Sequence, residues 1–89
     1  MNRKRLLRRL VAGSLNASFG DIVNLAHGFG FTLSRTNGSH HIFSHPAVPE
    51  LFNLQELGGQ AKPYQIRQFL KLIEKYDLRL EDDGVEEDQ

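Results

Sequence analysis

Residues 31–46 read FTLSRTNGSHHIFSHP. Phe31-Thr32-Leu33-Ser34-Arg35 alternates apolar and polar side chains with the period of two expected of a half-buried strand. Asn37-Gly38 follows, and both residue types tolerate positive φ, so the pair predicts a tight hairpin turn. Residues 39–44 form the return strand, and Pro46 ends it because proline cannot donate to a ladder. The other elements must arrange themselves around this hairpin. It also concentrates titratable side chains: His40, His41 and His45 are three of the four histidines in the chain and lie within six residues.

Working outward, residues 3–12 predict a short helix. Leu6, Leu7, Leu10 and Val11 recur at helical spacing, basic side chains fill other positions, and Gly13-Ser14 ends it. A second helix begins at Ser18. Ser18 and Asp21 make an S-x-x-D cap, and Phe19, Ile22, Leu25, Ala26 and Phe29 form the apolar stripe. Gly28 or Gly30 stops it. His27, close to that end, reads as a cap rather than a ligand. After the hairpin, residues 51–55 give a third strand and Gly58-Gly59 breaks the chain. Pro63 then opens a last helix, where its missing N–H costs nothing. Tyr64, Ile66, Phe69, Leu70, Ile73 and Tyr76 follow one face of it; Gln65, Arg67, Gln68, Lys71, Glu74 and Lys75 populate the others. Arg67, Lys71 and Lys75 read either as a cationic ridge or as an ordinary solvated face with a Lys71–Glu74 pair. The predicted fold is α+β in the order α-(α)-β-β-β-α: a three-stranded antiparallel sheet with helices on one face, the layout of double-stranded-RNA-binding domains.

Composition narrows the function. A chain of 89 residues buries roughly two-thirds of its unfolded surface, so any chemistry is expected on a surface or in a shallow groove. The chain has no cysteine, which excludes a disulfide framework and a thiol nucleophile and fits a cytoplasmic protein. No apolar run approaches membrane-spanning length, and no secretory h-region follows the basic start. The formal net charge of zero hides an asymmetry. Residues 1–80 carry 11 basic against 5 acidic side chains, a net +6, and six acidic residues among the last nine cancel it. The reading is one domain over 1–80, with 1–13 as a basic N-terminal helix and 81–89 as an acidic, disordered tail. A basic body suits a polyanionic partner.

The histidines admit three readings: a metal site, an acid–base site, or a His-rich surface. Along a strand, His40, Ile42 and Ser44 share one face, and His41, Phe43 and His45 share the other. With Ile42 inward, His40 lies inside; with Phe43 inward, it lies open. The sequence leaves both arrangements standing. For a metal, His41 and His45 are four apart on a strand, and the nearest carboxylate in sequence is Glu50, which falls short of the three protein ligands of a catalytic zinc. Acid–base chemistry needs less. RNA carries its own nucleophile in the 2′-hydroxyl, and one histidine can move that proton near neutral pH. Arg35 and the amides of Gly38 and Ser39 could face the charged phosphate.

Gly28-Phe29-Gly30-Phe31, followed by Arg35-Thr36-Asn37-Gly38-Ser39-His40-His41-Ile42-Phe43, resembles the G-F-x-x-x-R-x-x-G-S-H signature of the HicA toxins, small messenger-RNA-cleaving members of toxin–antitoxin pairs. Ser44-His45-Pro46 continues the likeness, as does Leu54-Gln55 with residues 59–66, GQAKPYQI. The likeness covers about residues 3–80. It implies a double-stranded-RNA-binding-like fold and a ribonuclease that uses no metal or other cofactor. It implies that the essential histidine is the one after Gly-Ser, here His40, and that a HicB-type antitoxin covers the active surface. On this reading Arg35, Gly38 and Ser39 hold the phosphate at the hairpin, and Lys62, Arg67 and Lys71 help hold the RNA backbone. The rival reading is a non-catalytic RNA-binding or partner-docking module of the same fold. The chain departs from many members in its basic N-terminal helix, its acidic tail, and a third strand without a further histidine.

Overall fold

A computed structural model of the chain describes residues 2–81. From residue 82 on, the acidic run expected as a tail lies outside the described residues. Helix α1 spans Arg3–Val11, capped by Asn2, whose Oδ1 accepts the Arg5 N–H at 3.0 Å. Leu6 and Leu10 are buried, while Lys4, Arg5, Arg8 and Arg9 stay at the surface. Helix α2 spans Phe19–Gly28. Its start is the one the S-x-x-D pattern predicts: the Ser18 hydroxyl accepts the Asp21 N–H at 3.1 Å and satisfies a donor that the helix itself cannot. Gly30, at φ +96°, then turns the chain into the sheet.

The sheet holds β1 (Thr32–Asn37), β2 (His40–His45), β3 (Val48–Leu57) and β4 (Gln60–Ala61), antiparallel in the order β1-β2-β3-β4. It differs from the sequence reading in three places. First, Asn37 pairs with His40, so the loop residues are Gly38-Ser39 and not Asn37-Gly38. Gly38 has φ +63° and Ser39 does not share it, a Gly-first pattern that suits the hairpin twist as well as Asn-Gly does. Second, β3 starts at Val48 and takes in Pro49, which had read as loop. The β2–β3 register shifts between the Phe43–Phe52 and His45–Val48 pairs, and Pro49 falls in that irregular stretch. Proline is tolerated at such a place because the regular ladder is already interrupted there. Third, Gly58-Gly59 is a turn and not a break. Both glycines have positive φ, and they fold Gln60 and Ala61 back onto Leu57 and Glu56 as a fourth, two-residue strand.

Helix α3 spans Pro63–Lys75, with proline in its first turn as expected. The core is a phenylalanine cluster. Phe29, Phe31, Phe43, Phe52 and Phe69 are all buried, and Phe52 stacks on Phe69 with ring centres 5.2 Å apart. Phe31 and Phe69 meet edge to face at 5.8 Å, as do Phe29 and Phe69. Phe69 thus pins α3 to the face of the sheet that carries Phe43, Phe52 and Leu54, where α2 also packs, and α1 packs on α2. Among the described residues the opposite face carries no helix. The architecture is α+β and like a double-stranded-RNA-binding domain.

Gln65 departs from its expected solvent position: it is only 2% exposed. β4 ends at Ala61, so the outward N–H of Gln55 has no strand to bond to. Gln65 Oε1 accepts it at 2.7 Å and stands in for the missing strand. Gln65→Ala strands that N–H at a buried position, a loss worth about 1–3 kcal/mol. Chemical denaturation of parent and variant measures it; equal midpoints would show that the bond carries no stability.

Candidate functional site

The pairing register answers the question of faces. Phe43 lies opposite Phe52, and His41 opposite Leu54, on the helix-covered side. His40 is paired with Gln55, and Ile42 with Asn53, on the helix-free side. His40 is half-buried there, and its Nδ1 lies 3.2 Å from Asn53 Oδ1. An amide oxygen only accepts, so Nδ1 carries the proton and Nε2 presents a lone pair. Among the described residues nothing else hydrogen-bonds to this ring.

Arg35 reaches the same face through an irregularity. The β1 register shifts between Leu33, opposite Phe43, and Arg35, opposite Ile42. Without that bulge, strict alternation would put Arg35 on the side of Leu33. With it, Arg35 becomes a diagonal neighbour of His40, at a distance of about 7–8 Å for such pairs. The two turn residues close the group. The Ser39 carbonyl accepts the Glu56 N–H and the His41 Nδ1–H, both at 3.1 Å, and Ser39 Oγ accepts from Gln55 Nε2 at 3.2 Å. Neither the Gly38 nor the Ser39 amide donates to another backbone group among the described residues, which leaves both for an anion.

The other histidines are structural. His45 is held at both ring nitrogens: Nε2 donates to the Phe29 carbonyl at 2.9 Å, and Nδ1 accepts the Ala47 N–H at 2.9 Å. Its ring stands edge-on to Phe31, and a Cβ on Gly30 would come within 2.9 Å of Nε2. His45 therefore ties the end of β2 to the α2–β1 corner. His41 lies against Phe19 of α2, with ring centres 4.7 Å apart. His27 donates from Nδ1 to the Phe31 carbonyl at 3.0 Å, bracing the exit from α2. No three His, Asp or Glu side chains gather as a metal site among the described residues.

The remaining cations, Lys62, Arg67 and Lys71, lie at the head of α3 and along it. Lys62 precedes α3 and lies 6.0 Å from the centre of the Tyr64 ring. Arg67 and Lys71 are exposed on α3, which Phe69 holds to the covered face. Lys71 lines a groove of about 320 Å³ with Glu50, Leu51, Phe52, Gln68, Leu72 and Lys75. This groove lies at the far edge of β3 and contains none of the hairpin residues. Its one carboxylate is already engaged: Glu50 accepts from the Tyr76 hydroxyl and from Lys75 Nζ, the latter at 2.9 Å. These two bonds, Tyr76 first, hold the Glu50 carboxyl down at about 2, and they raise both Lys75 and Tyr76 above their ordinary values. A carboxylate held ionised in this way is a poor proton carrier near neutrality, which removes Glu50 as a candidate acid–base group.

Sequence reasoning missed the Glu50–Lys75–Tyr76 cluster, which joins residues 25 and 26 positions apart. It also missed Asn53 and Gln55, although Leu51-Phe52-Asn53-Leu54-Gln55 places both amides on one face once the region is a strand.

These features define a small protein of the double-stranded-RNA-binding-like class that presents a histidine from its bare sheet face. The family model for the HicA toxin of bacterial toxin–antitoxin systems matches residues 20–74, more than half of the chain, and the chain belongs to that family. The match runs from α2 into α3 and takes in the whole sheet. Neither the curated proteins nor the solved structures contain a match. Among the described residues no helix is long and apolar enough to cross a membrane.

The Glu50 cluster makes stability depend on pH. Its carboxyl is lowered from 4.5 to about 2 in the folded chain, so its contribution is complete above the ordinary value and is lost as pH falls towards the folded one. Thermal melts of parent and Glu50→Gln should therefore differ most near neutrality and converge between about pH 4.5 and 2. A gap that stays constant across that range contradicts the assignment.

Proposed function

We propose that this chain is an endoribonuclease toxin that cleaves messenger RNA at the helix-free face, with His40 as its acid–base group. The observation that carries the reading is the His40 ring, proton on Nδ1 and lone pair on Nε2, on an uncovered basic surface beside Arg35. Nε2 takes the proton of a ribose 2′-hydroxyl. The 2′-oxygen attacks the adjacent phosphorus, the bond to the 5′-oxygen breaks, and a 2′,3′-cyclic phosphate forms. The 5′-oxygen leaves with a proton returned by the imidazolium. Arg35 and the amides of Gly38 and Ser39 offset the charge that builds on the phosphate. The step needs no metal or cofactor.

Lys62, at the head of α3, and Arg67 and Lys71, along it, contribute to holding the RNA backbone. Phosphate contacts of this kind are independent of sequence and weaken with salt. A HicB-type antitoxin is the protein partner, and covering the helix-free face suffices to silence the chemistry. The fit to the family, the basic body and the placement of His40 support this reading over a non-catalytic module.

His40→Ala removes the acid–base group from a half-exposed position and leaves the core alone. Cleavage of a labelled RNA by the purified protein should fall by about 10²–10⁴-fold, with the circular dichroism spectrum unchanged, and induced expression should no longer arrest growth. Cleavage and arrest at parental levels in the variant would sink the assignment. Salt-sensitive RNA binding with no cleavage by the parent would instead make the chain a binding module.

A further inference from the structure

We propose that Asn53 is the positioning residue of His40: its side-chain carbonyl fixes the imidazole with the proton on Nδ1 and turns Nε2 towards the substrate side of the sheet. The inference rests on the ribonuclease reading for its catalytic consequence but not for the pairing itself. Asn53 stands on β3 opposite Ile42, and His40 lies two residues before Ile42 on β2. That diagonal, on the helix-free face, brings Oδ1 to 3.2 Å from Nδ1.

Two further observations support the assignment. Asparagine is depleted in strands because its short amide competes for the backbone and packs poorly. Here it sits inside the ten-residue strand β3, where the face it points to holds the candidate acid–base group. A residue that breaks a local preference at such a place is a candidate for function. Gln55, two positions on and on the same face, bonds Ser39 Oγ at 3.2 Å. Alternate amides of β3 therefore grip successive residues of β2's start, Gln55 on Ser39 and Asn53 on His40. Gln55 steadies the turn, and Asn53 alone acts on the ring.

The choice of an amide has a chemical meaning. A ring with its proton on Nε2 would offer substrate a donor where a base is needed. With its oxygen turned to the ring, Asn53 favours the other tautomer, since that oxygen can only accept from Nδ1. A carboxylate in its place would select the same tautomer but would hold the imidazolium more strongly. The charged group that faces His40 on this side is Arg35 from β1. β3 presents only the neutral Asn53 and Gln55, the facing β1 residue Asn37 is neutral, and no helix packs on this face. A negative charge at 53 would thus be the only one near the ring among the described residues.

The test uses the full chain, Asn53→Asp and Asn53→Leu, with backbone amide spectra to confirm that both variants keep the fold. The first readout is the NMR titration of the His40 ring. Asn53→Asp should move its midpoint upward by about one pH unit or more relative to the parent, as an adjacent opposite charge does. The second is cleavage of a labelled RNA. Asn53→Leu should lower kcat about tenfold with KM little changed, the loss expected when one orienting hydrogen bond goes, and Asn53→Asp should carry the limb of the pH–rate profile upward with the ring midpoint. An unmoved midpoint in Asn53→Asp overturns the proposal whatever the cleavage shows. A moved midpoint with parental kcat in Asn53→Leu overturns the positioning role. A moved midpoint with no cleavage by parent or variant upholds the pairing and places the failure in the ribonuclease reading.

Discussion

The placement of Phe43 in the core decides the rest of the site. Phe43 faces Phe52 across β2 and β3, with ring centres 6.0 Å apart, and Phe52 in turn meets Phe31 and Phe69. Side chains alternate along a strand, so one buried position fixes the side of every other. A slip of one residue would expose Phe43, at a cost of about 1.5–3 kcal/mol for a buried side chain of this size, and would turn His40 under the helices. The aromatic core therefore does more than hold α3 to the sheet. It sets which histidine meets solvent and which ones brace the fold.

The three clustered histidines separate by their hydrogen bonds and by the sheet face they occupy. His45 is satisfied at both nitrogens by backbone groups, so any change in its protonation breaks a structural bond. His41 is held between the Ser39 carbonyl and Phe19. His40 keeps one nitrogen free on the uncovered face. The same residue type thus serves as a corner tie, a packing piece and a candidate reactive group, and neighbours supplied by other elements make the difference. Arg35 joins His40 only because β1 carries a bulge, and the hairpin end is stiffened by two amide side chains from β3.

Much of the architecture was legible in the sequence because it rests on local rules. The Ser18–Asp21 cap and Pro63 at the head of α3 each follow from backbone hydrogen bonding within a few residues, whereas the alternation through residues 31–35 marks a strand but not its burial, since β1 is exposed along its length. The orientation of β2 was not legible, since Ile42 and Phe43 are both apolar and adjacent, and only Phe31, Phe52 and Phe69 choose between them. The β1 bulge leaves no mark in a period-two pattern. Gly58-Gly59 could be a break or a turn until Ala61 is found buried beside β3. Gln65 looked solvated because an amide on a helix usually is; it is buried to satisfy one strand N–H. Glu50 finds Lys75 and Tyr76 only in three dimensions. What escaped was long-range pairing, and the site is built from it.

The central claim is that the fold holds the His40 proton on Nδ1 and presents its Nε2 on the uncovered face of the sheet. A long-range ¹H–¹⁵N spectrum of the histidine rings, recorded where all four are neutral, reads the tautomer of each directly. The structure requires the proton on Nδ1 for His27, His40 and His41, and on Nε2 for His45. A spectrum showing that pattern upholds the assignment of His40 as the available base. A His40 ring protonated on Nε2 would contradict it.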